Sequence, residues 1–304
     1  DFGAEPDWIA TLYSGAIGSP CLGDLDGDGD LDVVVQDKHG RINCIDDDGT
    51  QFSGWPISGG YVHAWQNTWS SVALADLDQN GSLEIIAAAP YGCRAYNIDG
   101  SYIDFLNYDY AHFSKASPAV GQLDGEGMLE VVVGRIENEF SDPQPSLFCL
   151  EDDLSEKWSR LYYGTLGDEM PYLATPAVGD ISSTHVGNEI LIATAEDFWE
   201  AYPPRETDTG YPNWLRLLDG SGNTLWTSSD YNCGFWASPV IGDLNNDDVN
   251  EIVIGSMTNW DDGMKVFILN GDSGVQEHFW DVGGWIIHPA ALADLDDNGN
   301  LDFK

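Results

Sequence analysis

The stretch Asp24-Leu25-Asp26-Gly27-Asp28-Gly29-Asp30-Leu31-Asp32 sets carboxylates at alternate positions around a glycine turn. Side chains at positions 1, 3, 5 and 9 of such a loop, with the backbone carbonyl at 7, converge readily as hard oxygen ligands on one Ca²⁺. The glycines permit the tight turn that aims them. Copies of the loop begin at Asp24, Asp76, Gln122, Asp180, Asp243 and Asp294, at intervals of 52, 46, 58, 63 and 51 residues. A period of this size marks a solenoid, a propeller or an array.

Each copy carries the same parts in the same order. A small-residue and proline lead-in (Ser19-Pro20, Ser70-Ser71, Ser117-Pro118, Thr175-Pro176, Ser238-Pro239, His288-Pro289) opens onto a short apolar strand and then the acidic loop. A β-branched run follows, such as Val33 to Val35, Val131 to Val133 or Ile252 to Ile254, and reads as a buried strand. A third strand ends in an Asx-Gly turn such as Asp48-Gly49 or Asp219-Gly220, the chemistry of a tight hairpin. The fourth strand carries an aromatic: Phe52, Phe105, Trp158, Trp226 or Phe279. Four short antiparallel strands per repeat predict an all-β chain, a β-propeller of four-stranded blades. The expected blades cover residues 18–66, 70–112, 116–171, 174–233 and 237–285 of a single domain, 1–304. A sixth, incomplete one at 288–304 is expected to close with an N-terminal strand within 1–14, giving a parent of six or seven blades. On this reading the chain is a processed or excised part of a longer protein.

The chain carries 52 acidic residues against 11 basic ones, a net charge of −41, and nucleic acid and anionic membrane surfaces are excluded as partners on that ground. Of those acids 21 lie in the loops, so metal binding explains only part of the excess. The remainder suits a secreted protein in a salty or calcium-rich medium. No stretch approaches eighteen consecutive apolar residues, so no transmembrane helix is expected. Cys21, Cys44, Cys93, Cys149 and Cys233 form no CxxC pair and are odd in number, and most are read as small buried hydrophobes.

The unit S-P-x-x-G-D-L-D-G-D-G-x-x-D-h-h-h resembles the FG-GAP repeat of integrin α-subunit propellers and the related VCBS-type repeats of secreted microbial proteins. Ala87-Ala88-Ala89-Pro90 even echoes the GAP tripeptide. The resemblance implies a propeller with Ca²⁺ in the loop joining strands 1 and 2. Its ligands would be Asp24, Asp26, Asp28, the Asp30 carbonyl and Asp32 in the first copy, and Asp76, Asp78, Asn80, the Ser82 carbonyl and Glu84 in the second. The fifth copy offers Asp243, Asn245, Asp247, the Val249 carbonyl and Glu251, with Asp248 where glycine is expected, which makes the turn costlier. The sixth offers Asp294, Asp296, Asn298, the Asn300 carbonyl and Asp302. The third departs at Gln122 and keeps Asp124, Glu126 and Glu130 as a weaker site, and the fourth, with a lengthened loop after Asp180, is expected to bind nothing. About four Ca²⁺ sites follow, with a fifth in the third copy. An EF-hand is excluded because its twelfth position, an acid there, is Val35 or Ala87 here.

In a four-stranded meander the 1–2 and 3–4 turns share one face, and the 2–3 loops and 4–1 connections share the other. The long 2–3 loops within 135–146, 196–214 and 256–264 and the aromatic-rich 4–1 connections therefore place candidate ligand contacts opposite the acidic loops. These are Trp65, Trp199, Tyr202, Tyr211, Trp214, Trp260 and Trp285, suited to stacking on sugar rings or gripping a protein. No HExxH, GxSxG or phosphate-loop motif is present. The expected function is a calcium-binding extracellular adhesion or ligand-binding module with a glycan or protein partner. Two alternatives stay open: a polysaccharide lyase or hydrolase using His63, His112 or His288, and a cell-surface subunit that self-associates through the incomplete blade.

Overall fold

The computed structural model describes residues 8–58, 70–89, 92–107, 111–112, 116–134, 136–137, 147–160, 172–195, 213–231, 233–258, 264–284, 286, 288–295 and 301–303. Five sheets follow one another along the chain, each built on an antiparallel meander of four strands, with a fifth short strand added to the fourth sheet. Blade one is Cys21–Gly23, Asp32–Gln36, Arg41–Ile45 and Ile57–Ser58. Blade two is Ala73–Ala75, Glu84–Ala89, Gly92–Tyr96 and Tyr102–Asn107. Blade three is Ala119–Gly121, Glu130–Gly134, Leu147–Leu150 and Glu156–Arg160. Blade four is Ala177–Gly179, Glu189–Ala195, Asn213–Leu218 and Thr224–Tyr231. Blade five is Val240–Gly242, Glu251–Gly255, Met264–Asn270 and Gln276–Val282. A sixth hairpin pairs Leu292–Ala293 with Asp302–Phe303. No described residue is helical.

The second strands of blades two, three and four are buried on both faces because each of these blades is packed between two others. Val131 and Val133 enter a cluster with Leu77, Ile86 and Ala95 of blade two. Val132, between them, points the other way and packs with Ile190, Ile192 and Leu218 of blade four. The two-residue period of a strand thus splits one run between two interfaces. Leu191 does the same toward Ile252 and Ile254 of blade five. The third strands of blades one to three each add a buried cysteine to these interfaces. Cys44, Cys93 and Cys149 are 0% exposed and unpaired, and burial raises all three thiols, those of Cys93 and Cys149 to about 12.

The lead-in hydroxyls join blade to blade. The Ser19 N–H donates to Ser71 Oγ at 2.9 Å, the Ser71 N–H to Ser117 Oγ at 2.8 Å, and the Ser117 N–H to Thr175 Oγ1 at 2.8 Å. Each of these hydroxyls therefore satisfies a main-chain donor one repeat earlier, which explains the hydroxyl residues at Ser71, Ser117 and Thr175.

The acidic loops and the Asx-Gly turns meet at the seams. A β-carbon on Gly220, in the blade-four turn, would overlap the Leu123 carbonyl oxygen of loop three, and one on Gly271 would overlap the Ile181 carbonyl of loop four. From the same side Trp158 Nε1 donates to the Gly220 carbonyl at 2.9 Å and Trp226 Nε1 to that of Gly271 at 2.8 Å. Trp8 packs on Gly49 as Trp158 packs on Gly222 and Trp226 on Gly274. The N-terminal segment so takes the place of an outer-strand tryptophan beside blade one, although residues 8–15 form no ladder there. On the opposite face the 4–1 connections add short ladders to the ends of second strands. Ala111–His112 pairs with Ile136–Glu137, Tyr172–Leu173 with the end of Glu189–Ala195, and Cys233–Gly234 with Met257–Thr258.

Candidate metal centres

One arrangement recurs in all five described loops. The acid that opens the second strand, at position 9 or, in the lengthened fourth loop, position 10, is buried: Asp32, Glu84, Glu130, Glu189 and Glu251 are each at most 2% exposed. One of its oxygens accepts the N–H of position 2, from Leu25, Leu77, Leu123, Ile181 and Leu244 at 2.7–2.8 Å. That bond closes the hairpin and leaves the second oxygen for the loop interior. A buried carboxylate needs a positive charge as well as hydrogen bonds, so what faces that second oxygen decides the loop's chemistry.

In loop two Asp76 and Asp78 lie beside it, and in loop one three acids of the loop itself come together. One carboxylate oxygen each from Asp24, Asp26 and Asp28, and likewise from Asp76, Asp78 and Glu84, lies within 4.8 Å of the others in its group, close enough for the three to hold one metal ion. The backbone supports the aim of each side chain. Gly27 N–H and Gly29 N–H donate to the two oxygens of Asp24, at 2.7 and 3.1 Å, and Gly81 N–H donates to Asp76 Oδ2 at 2.9 Å. These bonds need left-handed backbone at positions 4 and 6, and Gly27 and Gly29 adopt φ of 82° and 98°. Asp76 Oδ1 is buried with no hydrogen-bond partner. An orphaned carboxylate oxygen beside two further acids fits a hard divalent cation and fits little else.

Burial raises the carboxyls of Asp32, Glu84 and Glu251, and the neighbouring loop acids add to the shift against the opposing position-2 hydrogen bond. Raised carboxyls bind protons more tightly folded than unfolded, so their ionisation destabilises the metal-free fold. That penalty is complete above the raised values and vanishes below the ordinary carboxylate range near 4. In EDTA the melting temperature should therefore rise between pH 7.5 and pH 5, whereas in calcium it should fall, because protons compete with the ion. A metal-free melting temperature that fell over the same interval would contradict this.

Loop five keeps the fold of the site with a different internal bond: Asn245 Nδ2 donates to Glu251 Oε1 at 3.0 Å. Asp248 adopts φ of 66° at position 6, the left-handed conformation that costs a non-glycine residue about 1–2 kcal/mol. Its N–H still donates to Asp243 Oδ2 at 3.0 Å. In the sixth copy Asp294 and Asp302 flank the hairpin, while Asp296, Asn298 and Asn300 lie outside the described residues.

Loop three departs from expectation. Lys157 Nζ, from the fourth strand of the same blade, donates to Glu130 Oε1 at 2.9 Å, to Glu151 Oε2 at 3.2 Å and to Asp124 Oδ2. Burial works against the lysine charge, but the three carboxylates outweigh it and raise its pKa, while Lys157 lowers that of Asp124. Glu126, expected at position 5, is exposed. Of the three acids read as a weaker site, Asp124, Glu126 and Glu130, an ammonium bridges the first and the last. Loop four, expected to bind nothing, places His185 Nδ1 2.9 Å from Glu189 Oε1 and has no acid group of the kind seen in loops one and two.

Trp214, read as a ligand contact on a long loop, is 4% exposed and lies in the core between blades three and four, because the strand Asn213–Leu218 begins before it. Trp65, Trp199, Tyr202, Tyr211, Trp260 and Trp285 lie outside the described residues, as does His63. The sequence reading missed Lys157, and missed the groups that tie loop to loop. Asn188 Nδ2 donates to the Gln122 carbonyl at 2.9 Å and Asn250 Nδ2 to that of Asp180 at 2.6 Å, each from just before the acid that opens a second strand to position 1 of the preceding loop.

Residues 24–87, which run from the first loop through the second, match the family described as FG-GAP-like repeat. The chain is an all-β protein of propeller-type blades that carries an FG-GAP-like repeat at residues 24–87. No curated protein sequence matches it. Among solved structures, the chain is similar to the quinohemoprotein alcohol dehydrogenase ADHIIG from Pseudomonas putida HK5, with a TM-score of 0.59 at 10% identity over 90% of this chain and 42% of that one. It is similar to BBS1N, solved in complex with ARL6DN, with a TM-score of 0.56 at 12% identity over 97% of this chain and 75% of that one. The C-terminal domain of Pseudomonas aeruginosa PilY1 gives 0.52 at 14% identity over 79% and 57%. These likenesses are of fold, and the chain spans less than half the length of the dehydrogenase.

Proposed function

We propose that the chain is a calcium-braced extracellular binding module that takes a glycan or protein ligand on the face opposite its acidic loops. The observation that carries the calcium reading is the buried, unpartnered Asp76 Oδ1 beside Asp78 and buried Glu84. Asp24, Asp26, Asp28 and Asp32 would hold an ion in loop one, Asp76, Asp78, Asn80 and Glu84 in loop two, and Asp243, Asn245, Asp247 and Glu251 in loop five, with Asp294, Asp296, Asn298 and Asp302 as a further set. Bound Ca²⁺ supplies positive charge to carboxylates that otherwise repel one another. An extracellular setting supports this, because such modules work at calcium levels of about 0.1–1 mM and the net charge of −41 suits a secreted chain.

The loop face is packed against neighbouring turns at the seams, so it has a bracing role and leaves the other face for recognition. BBS1N carries this architecture in a complex with another protein and the dehydrogenase carries it in an enzyme, so the fold alone does not choose between binding and catalysis. A glycan array probed in calcium, alongside incubation with the same polysaccharides, separates the two. Retention without degradation is expected, with affinity falling at least tenfold on Trp65→Ala or Trp285→Ala, the scale of an aromatic hot spot. Depolymerised product that disappears in His63→Ala or His288→Ala would replace this reading with the enzyme.

A further inference from the structure

The inner oxygen of the buried acid that opens each second strand needs a partner, and blade three supplies a charged one without metal. We propose that Lys157 is the resident cation of loop three, a tethered ammonium in place of the divalent ion, so that the third loop is a latent metal site whose calcium requirement has been internalised. The inference rests on the calcium reading of loops one and two.

Three observations carry it. Lys157 Nζ bonds both the position-3 acid, Asp124, and the position-9 acid, Glu130, which are the groups a metal would share. The position-1 residue is Gln122, and its amide Nε2 donates to the carbonyl of Met128, position 7, at 2.7 Å. A donor therefore covers the one backbone oxygen that a divalent ion would use. Glutamine in place of aspartate also lowers the loop's negative charge by one, which suits a monovalent cation in place of a divalent one. The backbone is otherwise that of the metal-type loops: Gly125 and Gly127 hold φ of 78° and 71° at positions 4 and 6, and Glu130 Oε2 accepts the Leu123 N–H at 2.7 Å. The loop has kept its shape and exchanged its cation. Loop closure in blade three is then independent of calcium, and withdrawal of the ion loosens blades one and two while their neighbour stays braced.

The test compares wild type, Lys157→Met and the double variant Lys157→Met with Gln122→Asp, by equilibrium dialysis with radioactive Ca²⁺ and by thermal melting in EDTA and in calcium. Methionine keeps the stem and removes the charge, and aspartate restores the first ligand. The expected result is a lower melting temperature for both variants in EDTA, one more bound Ca²⁺ than wild type for the double variant, and recovery of most of its lost melting temperature in calcium. A double variant that folds only with calcium present supports the proposal equally. The proposal is overturned if the double variant binds no additional ion, whether or not it is destabilised, since Lys157 would then be an ordinary ion-pair partner. Wild type that binds no calcium would refute the reading of loops one and two, and the difference between double variant and wild type would still score Lys157.

Discussion

Excess EDTA should lower the melting temperature of the calcium-loaded protein by about 8 °C or more, and returning calcium should restore it. A site held at about 100 times its dissociation constant stabilises the fold by about 2.7 kcal/mol, so loops one and two together contribute about 5 kcal/mol. An unfolding entropy of about 2.1 cal/mol/K per residue comes to about 0.6 kcal/mol/K for 304 residues, which sets the conversion to temperature. Loop five would add to the shift. The mechanism is local: with the ion removed, Asp24, Asp26 and Asp28 face one another, and buried Glu84 faces Asp76 and Asp78, so charges close in space lose their neutralising partner. Scanning calorimetry in EDTA and in millimolar calcium makes the measurement. Asp26→Asn with Asp78→Asn should remove most of the calcium response while raising stability in EDTA, because each substitution relieves a repulsion. Equal melting temperatures with and without calcium would remove the bracing role from these loops.

How much of this was legible follows from where each signal lies. The blades were readable because six copies repeat one order of parts, and the double-sided burial of Val131 to Val133 is what an unbroken β-branched run predicts. The acid groups of loops one and two were readable because their members sit within nine consecutive residues. Lys157 was not, since it lies 27 residues beyond Glu130 on the fourth strand, and pairing across a blade leaves no local pattern. A signal was present all the same: the copy that loses its position-1 acid, Gln122, is the copy that places a lysine two strands away. The hydroxyl chain from Ser19 to Thr175 shows the same limit. The small residues were visible, but their partners lie one repeat on, at separations of 46 to 58 residues. Trp214 was misplaced because nothing in a long polar stretch marks the residue at which a strand resumes.

The seam between blades three and four gives the second large effect. Gly220→Ala should destabilise the protein by about 3 kcal/mol or more, against about 1–2 kcal/mol for Gly29→Ala, although the second glycine looks the more constrained in backbone terms. At Gly29 the cost is conformational, since φ is 98° but nothing lies within 4 Å of an added β-carbon. At Gly220 the added carbon would overlap the main-chain oxygen of Leu123, and no rotamer relieves a clash with backbone. The turn must back away. Doing so draws the Gly220 carbonyl from Trp158 Nε1 and opens the interface that holds Cys149, Ile190 and Trp214, so one methyl group strains a hydrogen bond and a packed core together. Leu123 is also the residue whose N–H is held by Glu130, which fixes its carbonyl from behind and prevents loop three from yielding. Urea unfolding of the two variants separates the effects, and equal midpoints would mean that the seam is soft. The same logic extends to the other seams: the hydrogen bond from position 2 to the buried acid holds each acidic loop, and a held loop gives the next blade a fixed surface on which to pack.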